Sequence, residues 1–416
     1  MICKNKNLFT FLILSVFYLS ACGPKDITGN ELEMLKEDLY FLASDSLKGR
    51  EVGTASEKQA ADYIAERFSE IGLEPKGDDR GSYYQDFQFT PMRNPHAPPS
   101  GNDSAKISGR NVIGFIDNKQ PTTIVIGAHY DHLGFGEDGS LYRGEEQIHN
   151  GADDNASGVV SLLLLAKNLK KRNGSNNYLF IAFSGEEKGL FGSNYFTKNP
   201  TIELDQVNYM INMDMVGRLD EENALAINGA GTSPEWMPVI ESIGMDSLKI
   251  ITKESGVGPS DHTSFYLKDI PVLHFFTGTH EDYHKPTDDA DKINYGGIYA
   301  VTAFIDSLIS QLDGRQKLAF AKTKDESGDA PRFKVTLGVV PDYMFDGTGM
   351  RIDGVSDDRP AQIAGLKTGD VVIKMGDIEV IDMMSYMTAL SKFEKGDTTT
   401  VVVKRDSQEL SYSVKF

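Results

Sequence analysis

Cysteine is nearly absent from this chain of 416 residues, since its two cysteines, Cys3 and Cys22, both lie near the N-terminus. The rest of the sequence therefore has no internal disulfide and no cysteine-based metal site. Any metal must be held by histidine, aspartate or glutamate. Basic residues are also few relative to acidic ones, and the formal net charge is -19. This balance argues against nucleic acid and anionic membrane surfaces as main partners.

Two further absences narrow the choice of function. No Gly-x-Ser-x-Gly pattern occurs, and no serine is paired with a plausible triad, which argues against a serine protease. The one long apolar run, residues 8–19, is short for a membrane span and follows two lysines, as in a secretory signal.

The apolar run ends in Leu-Ser-Ala-Cys at residues 19–22, which resembles the lipobox of bacterial lipoproteins. The resemblance implies cleavage before Cys22 and lipidation of its sulfur. It implies an exported protein, lipid-anchored in the bacterial cell envelope, with the outer membrane or the periplasmic face expected. The alternatives are an uncleaved anchor and a plain signal with an incidental cysteine.

The order of the predicted elements indicates two folded domains. We expect a signal peptide at 1–21 and a tether at 22–30. Residues 31–313 alternate apolar, β-branched runs with helical patterns, which predicts an α/β fold. Its sheet should be mixed but mostly parallel, with helices on both faces. A polar linker at 314–332 precedes a small β-rich domain at 333–416.

Acidic residues and histidines follow three of the predicted strands, at 122–128, 178–183 and 207–213. The carboxyl ends of parallel strands meet at one edge of a sheet, so these side chains should converge. A further pair of acids lies in a loop of small residues at 149–158, before an apolar helix. The candidates are His129, Asp131, Asp153, Asp154, Glu186, Glu187, Asp214, Tyr283 and His284.

Each of these signals is weak alone, because Asp and Asn often cap helices and most charged residues are solvated. Together they predict a metal site in which one acid bridges two ions. Histidine nitrogen and carboxylate oxygen suit zinc. Spacing does not distinguish Asp153 from Asp154, or Glu186 from Glu187.

Five motifs resemble those of the zinc-dependent exopeptidases, from about residue 32 to residue 312. This family includes secreted bacterial leucyl-type aminopeptidases, and its relatives include glutamate carboxypeptidase II and the glutaminyl cyclases. The motifs are Ala128-His129-Tyr130-Asp131-His132, residues 150–158, Phe183-Ser184-Gly185-Glu186-Glu187, Asn212-Met213-Asp214-Met215 and residues 283–288.

The resemblance implies a metal-dependent aminopeptidase that acts on peptides with a free N-terminus and holds two zinc ions per chain. His129 and Asp214 would hold one zinc. Glu187 and His284 would hold the other, and Asp154 would bridge both.

The same resemblance implies that Glu186 is the general base and that Asp131 fixes the ring of His129. Tyr283 would stabilise the oxyanion, and the alternative is a packed aromatic beside a ligand. Residues 260–262 would give structural support. The remaining histidines are interpreted as loop or core residues: His132, His149, His274 and His280.

Residues 333–416 resemble a PDZ domain. The residues that carry this resemblance include Leu337-Gly338-Val339-Val340 and residues 364–372. Such a domain would bind a peptide or a protein C-terminus by strand addition. Alternatively, it only shapes the rim of the active site. For the whole chain, two alternatives are a one-zinc, glutaminyl-cyclase-like aminoacyltransferase and a catalytically inactive, peptide-binding envelope lipoprotein.

Overall fold

The computed structural model describes residues 27–90, 106–244, 247–323, 335–342, 345, 347–355, 359–406 and 408–416. The expected signal peptide, Cys22 and much of the expected linker lie outside these residues. Among the helices of the described ranges, none is both long and apolar enough to cross a bilayer.

The larger domain consists of strands and helices that alternate along the chain. Its strands are β1 (Glu74–Pro75), β2 (Tyr84–Phe89), β3 (Ile107–Ile116), β4 (Thr123–His129), β5 (Asn177–Phe183), β6 (Val207–Met213), β7 (Ala224–Asn228), β8 (Lys249–Lys253) and β9 (Val272–Phe276). Its helices are α1 (Gly29–Leu42), α2 (Ala55–Ile71), α3 (Gly158–Leu169), α4 (Phe191–Lys198), α5 (Trp236–Ile243), α6 (His262–Tyr266) and α7 (Tyr295–Leu312).

Within the described residues these strands form one mixed sheet, in the order β1-β3-β5-β4-β6-β9-β7-β8, with β2 paired to β3. The central strands β5, β4, β6 and β9 run parallel to one another. Strands β3 and β7 are antiparallel to their central neighbours. The expected mixed α/β sheet is confirmed, and its parallel part is central.

Burial on both faces explains the composition of the central strands. Every residue of β4, β5 and β6 is buried, so these strands are nearly continuous apolar runs. Helix α3 is apolar on nearly all sides because it lies inside the main core with α1 and α7. The strand ends are thereby held on a rigid base.

The smaller domain has its own core and an antiparallel sheet. Its strands are β10 (Val339–Pro341), β11 (Met350–Val355), β12 (Val371–Met375), β13 (Ile378–Glu379), β14 (Thr398–Arg405) and β15 (Gln408–Lys415). Two helices, α8 (Pro360–Ala364) and α9 (Met383–Leu390), accompany them. The sheet order is β10-β11-β12-β14-β15, with β13 paired to β12.

Candidate metal centre

The candidate ligands lie at the carboxyl ends of the parallel strands. His129 is the last residue of β4, and Asp214 directly follows β6. Glu186 and Glu187 come just after β5, and His284 lies in the loop after β9. Parallel strands therefore bring residues that are distant in sequence to one edge of the sheet.

Asp154 lies between the two histidines of the expected ligand set. Its Oδ1 is 3.3 Å from His129 Nε2, and its Oδ2 is 3.2 Å from His284 Nε2. The neighbouring Asp153 points elsewhere, with its Oδ2 3.1 Å from His280 Nε2. The structure thus places Asp154, not Asp153, in the position of a bridging ligand.

The other two expected ligands complete the cluster at similar separations. Asp214 Oδ1 is 3.3 Å from His129 Nε2, and Glu187 Oε2 is 3.3 Å from His284 Nε2. Two ligand atoms on one tetrahedral zinc, each bonded at about 2.0–2.1 Å, lie about 3.3 Å apart. The donor atoms therefore fit two zinc ions that share Asp154.

Charges within the cluster determine its protonation. Burial acts to lower the pKa of His129, but Asp214 and Glu186 outweigh burial and raise that pKa well above its ordinary value. Burial acts to raise the pKa of Asp154, but hydrogen bonds from His129 and His284 hold that pKa well below its ordinary value. Without metal, protonated histidines thus balance the carboxylates.

Glu186 lies beside the cluster but outside the bridging arrangement. Its Oε2 is 4.0 Å from His129 Nε2. Burial is the largest cause that raises the pKa of Glu186 well above its ordinary value, and Asp214 adds to the effect. A buried carboxylate of this kind is suited to accept a proton.

Asp131 contacts the site differently from what was expected. His129 Nδ1 is 3.2 Å from the backbone oxygen of Asp131 but 3.8 Å from its carboxylate Oδ1. That carboxylate oxygen instead accepts the backbone N–H of Glu186 at 3.2 Å. Asp131 therefore fixes the ring of His129 through its carbonyl and the position of Glu186 through its side chain.

One acceptor and one donor to which the sequence assigned no role, Asp288 and Asn155, hold the loop that carries Asp154. Asp288 Oδ2 accepts the backbone N–H groups of Asp153 at 2.9 Å and Asp154 at 3.0 Å. Asn155 Nδ2 donates to the backbone oxygen of Met213 at 3.0 Å, which ties the loop to the end of β6. These contacts orient the bridging carboxylate.

Arg50 is fully buried beneath the same loops and was also missed. It donates hydrogen bonds to the backbone oxygens of Tyr130, Asn150 and Gly151, at distances of 2.5–3.0 Å. A single guanidinium thus joins the loop after His129 to the loop before Asp154. No spacing rule points to Arg50, because these three partners are backbone atoms 80 or more residues away in sequence.

Two of the histidines assigned to loops or core, His132 and His274, lie at the site. His132 Nδ1 is 2.7 Å from Glu187 Oε1, whereas His280 is paired with Asp153, outside the ligand cluster. His274 lines a cavity beside the cluster. His149 instead contacts Ser140 Oγ at 2.7 Å. Only the position of His132 within the His129–His132 motif offered a sequence signal.

The cavity beside the cluster measures about 90 Å³ and contains the ligands on one side. Tyr283 forms part of its wall, and the ring of Tyr283 stacks on that of His284 with centroids 4.0 Å apart. A small cavity that opens onto candidate metal ligands and a buried carboxylate suits hydrolysis at one end of a substrate.

Comparison with known proteins identifies the two domains. Residues 111–309 match the profile described as Peptidase family M28, and residues 321–416 match that of the PDZ domain. The central region belongs to peptidase family M28. The M28 region contains every residue of the candidate cluster, and the antiparallel domain that follows it is a PDZ domain.

The M28 region is similar to curated and solved aminopeptidases. Aminopeptidase YwaD of Bacillus subtilis is 29% identical over 205 residues, which are 45% of this chain and 41% of that protein. The chain thus spans less than half the length of this curated relative.

Among solved structures, BSAP, a zinc aminopeptidase from Bacillus subtilis, superposes with a TM-score of 0.54 at 19% identity, covering 69% of this chain and 98% of that chain. A glutaminyl cyclase from Porphyromonas gingivalis superposes with a TM-score of 0.52 at 17% identity, covering 67% of this chain and 98% of that chain. At these identities the likeness shows the fold alone.

Proposed function

We propose that this chain is a two-zinc aminopeptidase that removes N-terminal residues from peptides. The placement of Asp154 carries the proposal, because its two oxygens face His129 and His284 at 3.3 and 3.2 Å. The curated relative YwaD is an aminopeptidase by name, which agrees with this activity.

Two ligand groups would each hold one ion. His129, Asp154 and Asp214 form the first group, and Asp154, Glu187 and His284 form the second. Zinc bound in both groups would supply an acidified water and a Lewis acid for the scissile carbonyl.

Glu186 is the proposed general base. Its carboxylate would accept a proton from the attacking water and then donate it to the leaving amine. The raised pKa of Glu186, caused first by burial, supports this role because the group can hold a proton between the two steps. Asp131 keeps Glu186 in place through the backbone N–H.

Tyr283 is the proposed oxyanion donor. Its ring is held against that of His284, with centroids 4.0 Å apart, so its side chain belongs to the wall of the reacting space. A phenol at this wall would donate a hydrogen bond to the carbonyl oxygen as negative charge develops there.

The PDZ domain and the N-terminus extend the proposal to partners and location. Within the described residues β10 pairs with β11 alone, which leaves an edge for a peptide strand. We propose that this edge binds a peptide or protein C-terminus, and that Cys22 anchors the chain in the cell envelope. A deletion after Arg332 that leaves hydrolysis of long and short peptides unchanged would disprove a role in substrate docking.

The test of activity uses peptides headed by leucine, asparagine and glutamine, each beside its N-acetylated twin, with zinc supplied. Release of the first residue from the free peptides alone is the expected result. Equal cleavage of both twins would indicate an endopeptidase. Loss of ammonia without chain cleavage, from a glutamine-headed peptide, would favour the cyclase alternative.

A further inference from the structure

Part of the wall of the cavity beside the cluster is formed by residues other than the candidate metal ligands. When the first peptide bond of a substrate lies at Glu186, the N-terminal side chain must lie near this wall. The inference therefore rests on the proposed aminopeptidase function. The residues of the wall are Met215, Asn228, Pro259, His274, Phe276, Thr279 and Tyr283.

Two polar residues of this wall form a pair across neighbouring strands. Asn228 on β7 is the register partner of His274 on β9. Asn228 Nδ2 donates a hydrogen bond to His274 Nδ1 at 3.2 Å. A neutral imidazole that accepts at Nδ1 carries its hydrogen on Nε2, so His274 presents Nε2–H as a donor.

That donor has no partner among the described residues, although His274 is only 4% exposed. The ring is held in place by stacking on His262, with centroids 4.5 Å apart and planes within 17°. A buried donor without a partner is unfavourable, and a substrate group that accepts its hydrogen bond removes the penalty.

We propose that this pocket selects an N-terminal residue with an uncharged, hydrogen-bonding side chain, asparagine or glutamine first, over leucine. A carboxamide oxygen accepts from His274 Nε2–H. The apolar walls, Met215 and Phe276, cover the methylene groups. The amide of the substrate side chain thus matches the polar part of the wall, and its methylene groups match the apolar part.

Charged side chains fit this pocket less well. A carboxylate side chain would lie beside Glu186 and Asp214, which line the same cavity. A cationic side chain would direct its own donors at the His274 donor. Leucine has nearly the shape of asparagine but leaves Nε2–H unpaired, and sites built to hydrogen-bond a substrate discriminate strongly against analogues that lack the group.

The test compares kcat/KM for asparagine-headed and leucine-headed peptides with the full chain and zinc. We expect asparagine to be preferred by at least about tenfold. In His274→Leu the preference should shift to the leucine-headed peptide. In His274→Gln, which keeps an N–H donor, the preference for asparagine should partly return. The control, Phe276→Leu, alters an apolar part of the same wall and should change both substrates alike.

Binding separates this inference from the proposed activity. Asparagine amide and leucine amide are titrated into zinc-loaded Glu186→Gln protein, where turnover is not needed. Tighter binding of asparagine amide supports the pocket assignment even if no peptide is cleaved, in which case the aminopeptidase proposal alone fails. Equal or tighter binding of leucine amide overturns the pocket assignment, as does a preference unchanged in His274→Leu.

Discussion

His132 holds one oxygen of Glu187 while the other faces the cluster. His132 Nδ1 is 2.7 Å from Glu187 Oε1, and Glu187 Oε2 is 3.3 Å from His284 Nε2. His132 is fully buried, so the contact is shielded from water. A histidine that anchors one carboxylate oxygen leaves the second with a single orientation toward a metal.

Replacement of His132 by asparagine should weaken zinc binding at the Glu187–His284 group by about 10–100-fold, because an unanchored carboxylate must be ordered on binding. Competition with a chelator measures the affinity. His149→Asn is the matched control, since His149 contacts Ser140 and the backbone of Gln147 rather than a ligand. Equal zinc affinities in both variants would contradict the role given to His132.

Glu186→Gln should lower kcat by about 10²–10⁴-fold, because the amide cannot accept the proton of the attacking water. Its zinc content should stay at the level of the parent, since Glu186 lies outside both ligand groups. Glu187→Gln should instead lose zinc. The comparison requires kinetics and metal analysis on the same samples, and loss of zinc from Glu186→Gln would show that the two roles are exchanged.

His284→Ala should leave one strong zinc site and weaken the other. The first group, His129, Asp154 and Asp214, keeps all its donors in this variant. Metal analysis after dialysis should find about half the zinc of the parent chain, as expected for two groups that share one ligand. Complete loss of zinc would show that the two groups do not bind independently.

Zinc binding should release protons and become tighter as pH rises. Burial lowers the pKa of His284, but Glu187 and Asp154 outweigh it and raise the pKa well above its ordinary value, as for His129. These ion pairs stabilise the metal-free fold below the unfolded histidine pKa of about 6.5, and the contribution is lost as pH rises through the folded pKa.

Calorimetry at neutral pH, in buffers of different ionisation enthalpy, measures this proton release. Zinc must displace the protons because a ligand histidine is neutral when it binds. His284→Ala should release fewer protons than the parent. A heat of binding that does not depend on the buffer would contradict the assigned protonation.

Arg50→Met should destabilise the M28 domain by about 3 kcal/mol, because it leaves buried carbonyl groups without donors. Trp236 is the one tryptophan of the chain and is buried in this domain, so its fluorescence reports the unfolding. Arg110→Met removes an ion pair to Asp86, which is 64% exposed, and should cost less than about 1 kcal/mol. Similar losses in both variants would contradict an organising role for Arg50.

The central strands were predictable from the sequence because they are buried on both faces. Residues 178–183 and 207–213 are almost wholly apolar, and both form strands. Strands β7 and β8 were missed. Strand β8 lies at the sheet edge, is partly exposed and begins and ends with lysine, so its pattern is close to that of a loop.

The sequence by itself determined which chemical groups are present and which strand ends carry them. It left open which acid of each pair faces the cluster. It did not reveal the contacts of His132 and Arg50, or the pair that Asn228 forms with His274. Only the tertiary structure decided these points, because the direction of a side chain in a loop depends on partners from distant segments. Asp154 faces two histidines since Asp288 binds the N–H groups of its loop, 134 residues away along the chain.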